Sequence, residues 1–147
     1  MSMSDIRAAL VDRWEDANQL KLDEGPVQVA YENINFTPPE NDRWAQVFHL
    51  AGSPSVGSLG SQGEDQISGV FQIDLLVPVG TGVEWLYRAV DILRQKSFRA
   101  GEYLTAGSQW VLVLSCGMES PVREGAYMKG TIRIEWESRI TRRIING

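Results

Sequence analysis

The sequence predicts an α+β fold, with an antiparallel or mixed sheet of about five strands and two helices packed against it in a single domain. Three observations carry this. Two segments repeat apolar residues at three- and four-residue steps, and several others alternate them at two-residue steps. The order is helix, three strands, helix, two strands, which is too strand-rich for a doubly wound sheet. The length of 147 residues suits one domain, and 43% apolar with 22% charged residues is an ordinary globular composition.

The first helix is predicted over residues 4–19. Ile6, Leu10 and Trp14 form its buried stripe, and Ser4 and Asp5 stand where a side-chain oxygen caps orphan amides. Gly25-Pro26 closes the connector. "VQVAYEN" then alternates Val27, Val29 and Tyr31 against Gln28, Ala30 and Glu32, the period of a strand. Pro38-Pro39 breaks it, because proline donates no ladder bond, and a second strand follows at "RWAQVFHLAG".

Residues 51–66, "AGSPSVGSLGSQGEDQ", hold little that a core could use and are expected to form a flexible loop. The third strand places Ile67, Phe71, Ile73, Leu75 and Val77 inward, with Gln72 and Asp74 outward. From 82 to about 98, Val83, Leu86, Val90 and Leu93 recur at helical spacing. "QWVLVLSC" is apolar on both faces, as in a central strand. "YMKGTIRIEWES" points Ile132, Ile134 and Trp136 inward and Arg133, Glu135 and Glu137 outward, pairing with its predecessor through "GMESPVREG". The domain is therefore expected over 1–138, with 139–147 as a basic C-terminal tail.

Most chemistry finds no support in the residues. A net charge of -5 argues against broad binding to nucleic acid or anionic membrane. The single cysteine, Cys116, permits no internal disulfide or cysteine-based zinc cluster and reads as a buried filler. "MSMSDIRAAL" lacks the apolar run of a signal peptide, and no segment has the length and apolarity of a membrane span.

The stretch "LLVPVGTGVEWLY" has the outline of a phosphate cradle, a strand running through Gly80 and Gly82 into a helix. Trp85 stands where a dinucleotide fold needs its third glycine, and Val83-Glu84 replace the lysine and hydroxyl of a Walker loop. The turn reads as a joint. "LGSQG" and "VGSLG" both miss a nucleophile elbow, since Leu59 and Val56 occupy its first glycine position. His49, the one histidine, has no nucleophile or acid placed for it by sequence. Glu64-Asp65 lacks calcium-loop spacing. The sequence therefore nominates no catalytic residue, cofactor site or metal site.

Two features are left over. One is the glycine-serine loop. The other is "SRITRRIING", where Arg139, Arg142 and Arg143 interleave with Ile140, Ile144 and Ile145 on an acidic chain, a pattern suited to an acidic partner or to strand addition on a neighbouring subunit. Of the five tryptophans, Trp14, Trp85, Trp110 and Trp136 lie on inward stripes, and Trp44, beside the diproline, is expected at a surface or interface.

"YENINFTPPENDRW" resembles a segment of the tail terminator proteins of long-tailed bacteriophages, in which an aromatic residue, Glu and Asn lead to a Phe-Thr-Pro-Pro turn and an aromatic opening the next strand. "GVFQIDLLVPVGTG" resembles that family's next landmark, a Gly-x-x-Gln-x-Asp strand ending in a proline and a glycine turn. The order of elements agrees from about residue 4 to 137. The resemblance implies a structural virion protein that forms a ring, usually of six subunits, at the head-proximal end of the tail tube. It would be assembled in the host cytoplasm, stop tube growth and join the head. Its expected partners are itself, the tail tube protein and the head connector or stopper protein, with no specific nucleic acid and no membrane.

Expected interface residues are Trp44, then Ser55, Val56, Leu59, Glu64 and Asp65 in the loop, and Arg139, Arg142 and Arg143 in the tail. The alternatives are another neck or connector protein of the virion and, further off, a small ligand-binding domain or enzyme.

Overall fold

The computed structural model describes residues 2–20, 25–52, 54–60 and 63–141. Along the chain lie α1 (Met3–Leu20), β1 (Gln28–Tyr31), β2 (Trp44–Ala51), β3 (Ser55–Val56), β4 (Glu64–Pro78), α2 (Glu84–Ile92), β5 (Tyr103–Ala106), β6 (Gln109–Met118), β7 (Val122–Glu124) and β8 (Tyr127–Thr141). The α+β class and the two helices agree with expectation. The described sheet has eight strands rather than about five, in the order β1-β2-β4-β8-β6-β5, with β3 paired to β4 and β7 to β8. The extra strands, β3, β5 and β7, span two to four residues. Alternation needs a longer run to be visible, so only pairing reveals them. The sheet is mixed because β1 joins β2 in parallel while the other pairings are antiparallel.

Two 15-residue strands, β4 and β8, form its spine and pair along their full length, from Glu64↔Thr141 to Pro78↔Tyr127. Both helices cover one face of this spine. That inner face carries Phe71, Ile73, Leu75, Ile132, Ile134 and Trp136, each buried as alternation requires. Helix α1 lays Ile6, Leu10, Trp14 and Ala17 on it, one stripe at helical spacing. Its start is capped by Ser2, whose Oγ accepts the Asp5 amide at 3.1 Å, and not by Ser4. A cap oxygen serves an amide two or three residues on, so a helix beginning at Met3 calls on Ser2.

The Asn18 side chain then clamps the entry to β1. It donates to the Val27 carbonyl at 3.0 Å and accepts the Val27 amide at 2.9 Å. Helix α2 buries Trp85, Leu86, Ala89 and Val90 and passes into one π-helical turn, Leu93–Ser97, closed by the Phe98 amide on the Leu93 carbonyl at 2.7 Å. The wider turn swings Phe98 into the core beside Phe71, with ring centroids 6.1 Å apart.

Among the described residues, the opposite, outer face is covered at one end. There Phe36 stacks on Trp44 at 5.4 Å, Tyr127 meets the same indole edge-on at 5.9 Å, and the Tyr127 hydroxyl donates to the Pro39 carbonyl. The diproline connector thus folds over the sheet, burying Trp44 to 7% exposure and Asp74 and Leu76 beside it. Asp74 does point outward, as expected, but into this cover, and burial raises its carboxyl above the usual range against hydrogen bonds from Thr131 and Gln72.

Among the described residues nothing covers the rest of the outer face, which corrects the expectation of a doubly buried β6. Val111 and Val113 face the core, whereas Leu114 is exposed, and the register slips between Val113 and Ser115. The apolar run reads as central because the bulge and a bare sheet face leave no trace in composition.

Candidate assembly interface

The loop expected at 51–66 is, in its described part, an extension of the sheet. Ser55 and Val56 pair with Gln66 and Asp65, the Gly52 amide bonds the Ser68 carbonyl at 2.8 Å, and the Gly57 and Ser58 amides converge on the Glu64 carbonyl at 2.8 and 2.9 Å. Ser58 Oγ returns the favour by accepting the Glu64 amide at 2.7 Å. These are backbone and short polar bonds, which a glycine-serine segment makes without any hydrophobic period to announce them. Within the segment expected as a loop, Ser55–Val56 and Asp65–Gln66 thus form a short paired hairpin.

The hairpin brings together sequence features that lie 80 residues apart. Gln66 is opposite both Ser55 and Arg139, and Asp65 is opposite both Val56 and Ile140. A β-carbon on Gly57 would stand 3.3 Å from an Arg139 guanidinium nitrogen, so the arginine crosses this corner against bare backbone. Ser55, Val56, Glu64, Asp65 and Arg139 thus share one end of the sheet, with Val56 at 66% exposure and Leu59 at 90%. Arg139, Ile140 and Thr141 continue β8. Arg142 and Arg143 lie outside the described residues. Trp44 does not join the group: it pairs with Leu76 towards the other end of β4 and is buried under Phe36 rather than displayed. Its neighbour in sequence, the diproline, supplies the cover, which local pattern does not reveal.

A second cluster, not nominated by sequence, fixes this end. Gln109 and Ser138 are both fully buried. Gln109 Nε2 donates to Ser138 Oγ at 2.6 Å and to the Arg139 carbonyl at 2.9 Å, and the Ser138 hydroxyl donates to the Trp110 carbonyl. This ties the β5–β6 turn to the end of β8. A glutamine beginning an apolar strand gives no sign of such a role until its partner strand is known.

Cys116 is buried and its thiol is pushed up to about 12 by desolvation, which favours the protonated form over the nucleophilic thiolate. His49 is held below its ordinary value by burial, its ring stacked on Trp136. Among the described residues no three His, Cys, Asp or Glu side chains converge to hold a metal, and no helix is long and apolar enough to cross a membrane. At the "PVGTG" turn, Thr81 Oγ1 donates to the Pro78 carbonyl at 2.7 Å, and Glu84 opens α2 in an ion pair with Arg88 at 3.2 Å. A carboxylate occupies the anion-binding end of that helix.

Comparison with known proteins decides the family. The family model of the phage tail terminator protein matches residues 5–136. The chain belongs to this family. Tail terminators are structural and non-enzymatic, so a structural role in a phage tail, and a place in the virion, follow for this chain. The match spans α1 to the middle of β8, including both segments whose resemblance is visible by eye. No curated protein matches the sequence. A solved structure with 22% identity superposes over 100% of this chain and 99% of its own with a TM-score of 0.75, which shows that the tail terminator chain shares its fold.

Proposed function

We propose that this tail terminator closes into a ring of six subunits on the head-proximal end of the tail tube. There it stops the addition of tube protein and offers its other face to the head connector or stopper. The observation that carries this reading is the family match over residues 5–136. The architecture supports it. A ring needs a head-to-tail contact whose rotation closes, and a stiff sheet with a 15-residue paired spine holds such an angle. Termination needs one face that fits the tube and another that does not template it. The β3–β4 hairpin, with Val56 and Leu59 bare at its tip, supplies a projecting apolar element for the first.

The test replaces residues 56–63 by a short Gly-Ser turn. The variant should fold and leave tail tubes uncapped and over-long in electron micrographs. Tubes of normal length, capped by the variant, would show that the tip is not the tube-binding element. The unaltered chain should register as a closed ring by native mass spectrometry, alone or on tail tubes.

A further inference from the structure

We propose that the basic end of α2 in one subunit, Arg94, Lys96 and Arg99, docks on the acidic turn Glu40-Asn41-Asp42 of the next copy of the chain. This rests on the ring reading above and names a contact that would close the ring.

The basic side follows from how α2 ends. After its π-helical turn, the Glu102 amide bonds the Arg99 carbonyl at 3.0 Å and the Gly101 amide bonds the Val113 carbonyl at 2.7 Å. This tight exit leaves Arg94, Gln95, Lys96, Arg99 and Ala100 exposed. Arg94 pairs with Asp91 at 3.8 Å, and both side chains are largely in solvent, so the pair holds it weakly. Lys96 and Arg99 form no ion pair among the described residues. Two open grooves, of about 660 and 550 Å³, adjoin here and share Gln95, Arg99 and Ala100. The carboxylate in the first, Glu102, is turned to Arg13 at 3.0 Å, and Leu114, 43% exposed, walls the second. On a chain of net charge -5, this surface is a local reversal of sign.

The same chain carries the complement. Glu40, Asn41 and Asp42 are exposed, and neither carboxylate forms an ion pair among the described residues. The turn is held in shape from both sides. The Tyr127 hydroxyl donates to the Pro39 carbonyl, Asn41 takes a left-handed φ of 53°, and Asp42 Oδ1 accepts the Arg43 amide at 2.8 Å. Charges fixed in this way lose little freedom on contact. The Arg43 guanidinium lies over the Trp85 ring, 4.7 Å from its centroid. That contact puts the acidic turn beside the start of α2, which begins at Glu84.

The two charged surfaces therefore stand at opposite ends of one helix. Nine α-helical and five π-helical residues separate them, about 20 Å at roughly 1.5 Å per residue. That exceeds the screening length of about 8 Å at physiological salt, so they do not neutralise one another within a subunit. Two basic ends repel, as do two acidic turns, so charge favours the order in which a basic end meets an acidic turn. Such a contact joins two different patches and leaves each pair of subunits with one of each still open. It is head-to-tail, as ring closure requires.

Native mass spectrometry of two charge-reversed chains tests this. One carries Arg94→Glu, Lys96→Glu and Arg99→Glu, and the other Glu40→Lys and Asp42→Lys. The unaltered chain should form a ring, alone or on tail tubes, and the altered chains are read in the same state. Each altered chain by itself should remain a monomer with unchanged far-UV circular dichroism, because its two surfaces now share a sign. An equal mixture should recover a ring holding the two chains in equal number, since every contact in the alternating order is again between opposite charges. Rings that persist in either altered chain overturn the contact and leave the ring reading intact. So does a mixture of two folded altered chains that forms no ring. If an altered chain unfolds, salt reads the same contact on the unaltered one. Raising salt from ~0.01 M to ~1 M shortens the screening length from about 30 Å to about 3 Å and should dissociate the ring, and a ring unmoved by salt overturns the contact. Absence of a ring from the unaltered chain, both alone and on tail tubes, overturns the ring reading itself.

Discussion

The indole of Trp136 lies flat against the imidazole of His49, with centroids 5.5 Å apart and planes within 9°. The two rings meet across β4, which separates their strands, because Gly69 faces Trp136 in the register and has no side chain to intervene. A β-carbon there would stand 2.8 Å from Trp136 Cζ2 and would also collide with the Leu50 carbonyl oxygen and the Ala51 backbone. This close approach joins β2, β4 and β8 on the inner face at the end that carries the projecting hairpin.

Gly69→Ala should accordingly destabilise the fold by about 1–3 kcal/mol, since a rigid ring and two backbone atoms must move for one methyl group. The measurement is the urea midpoint followed by tryptophan fluorescence. An unchanged midpoint would mean that Trp136 finds another rotamer at no cost.

The same stack sets a pH response. Burial lowers the His49 pKa below 6.5, with the coulombic effect of Glu32 opposing it. At pH above 6.5 the ring is neutral in folded and unfolded chains alike, and this residue adds no pH dependence. As pH falls through 6.5 toward the folded value, the unfolded chain takes up a proton that the folded chain resists, so stability declines. His49→Gln should flatten that part of the stability curve between pH 7 and 5. A curve of the same slope in the variant would place the response on other groups.

Gln109 and Ser138 should matter more than their sequence suggests. Gln109→Ala removes the donor to Ser138 and to the Arg139 carbonyl inside a fully buried site. A loss of roughly 2–4 kcal/mol is expected from the orphaned acceptors and the cavity. Hydrogen exchange should localise it, with the amides at the end of β8 losing protection before those at its start. Uniform loss along β8 would show that the clamp serves the whole sheet and not this end.

Cys116 provides a folding probe that needs no substitution. With its thiol raised to about 12 by burial, labelling by a thiol reagent at pH 8 should be negligible in the native state and should appear only as denaturant opens the sheet. Rapid labelling without denaturant would show that β6 opens locally at its Cys116 end.

Long elements were legible in the sequence because each repeats its pattern often enough to be read. Helix α1, the inward residues of β4 and β8, and the stripe of α2 follow directly from apolar spacing. So do the exclusions: one cysteine, an interrupted glycine turn and an isolated histidine limit the chemistry whatever the fold. The family, too, is carried by local residues, the Phe-Thr-Pro-Pro turn and the strand into "PVGTG".

Only the tertiary structure decided what distant segments do for one another. Strands of two to four residues exist because a partner supplies their hydrogen bonds, so β3, β5 and β7 have no period of their own. Trp44 is buried by a connector beginning some ten residues earlier, and Gln109 is structural because β8 ends beside it. The glycine-serine segment and Arg139, far apart in the chain, meet because β4 and β8 pair to their last residue. Periodicity reports which face of an element is buried, but which elements become neighbours is set by non-local pairing.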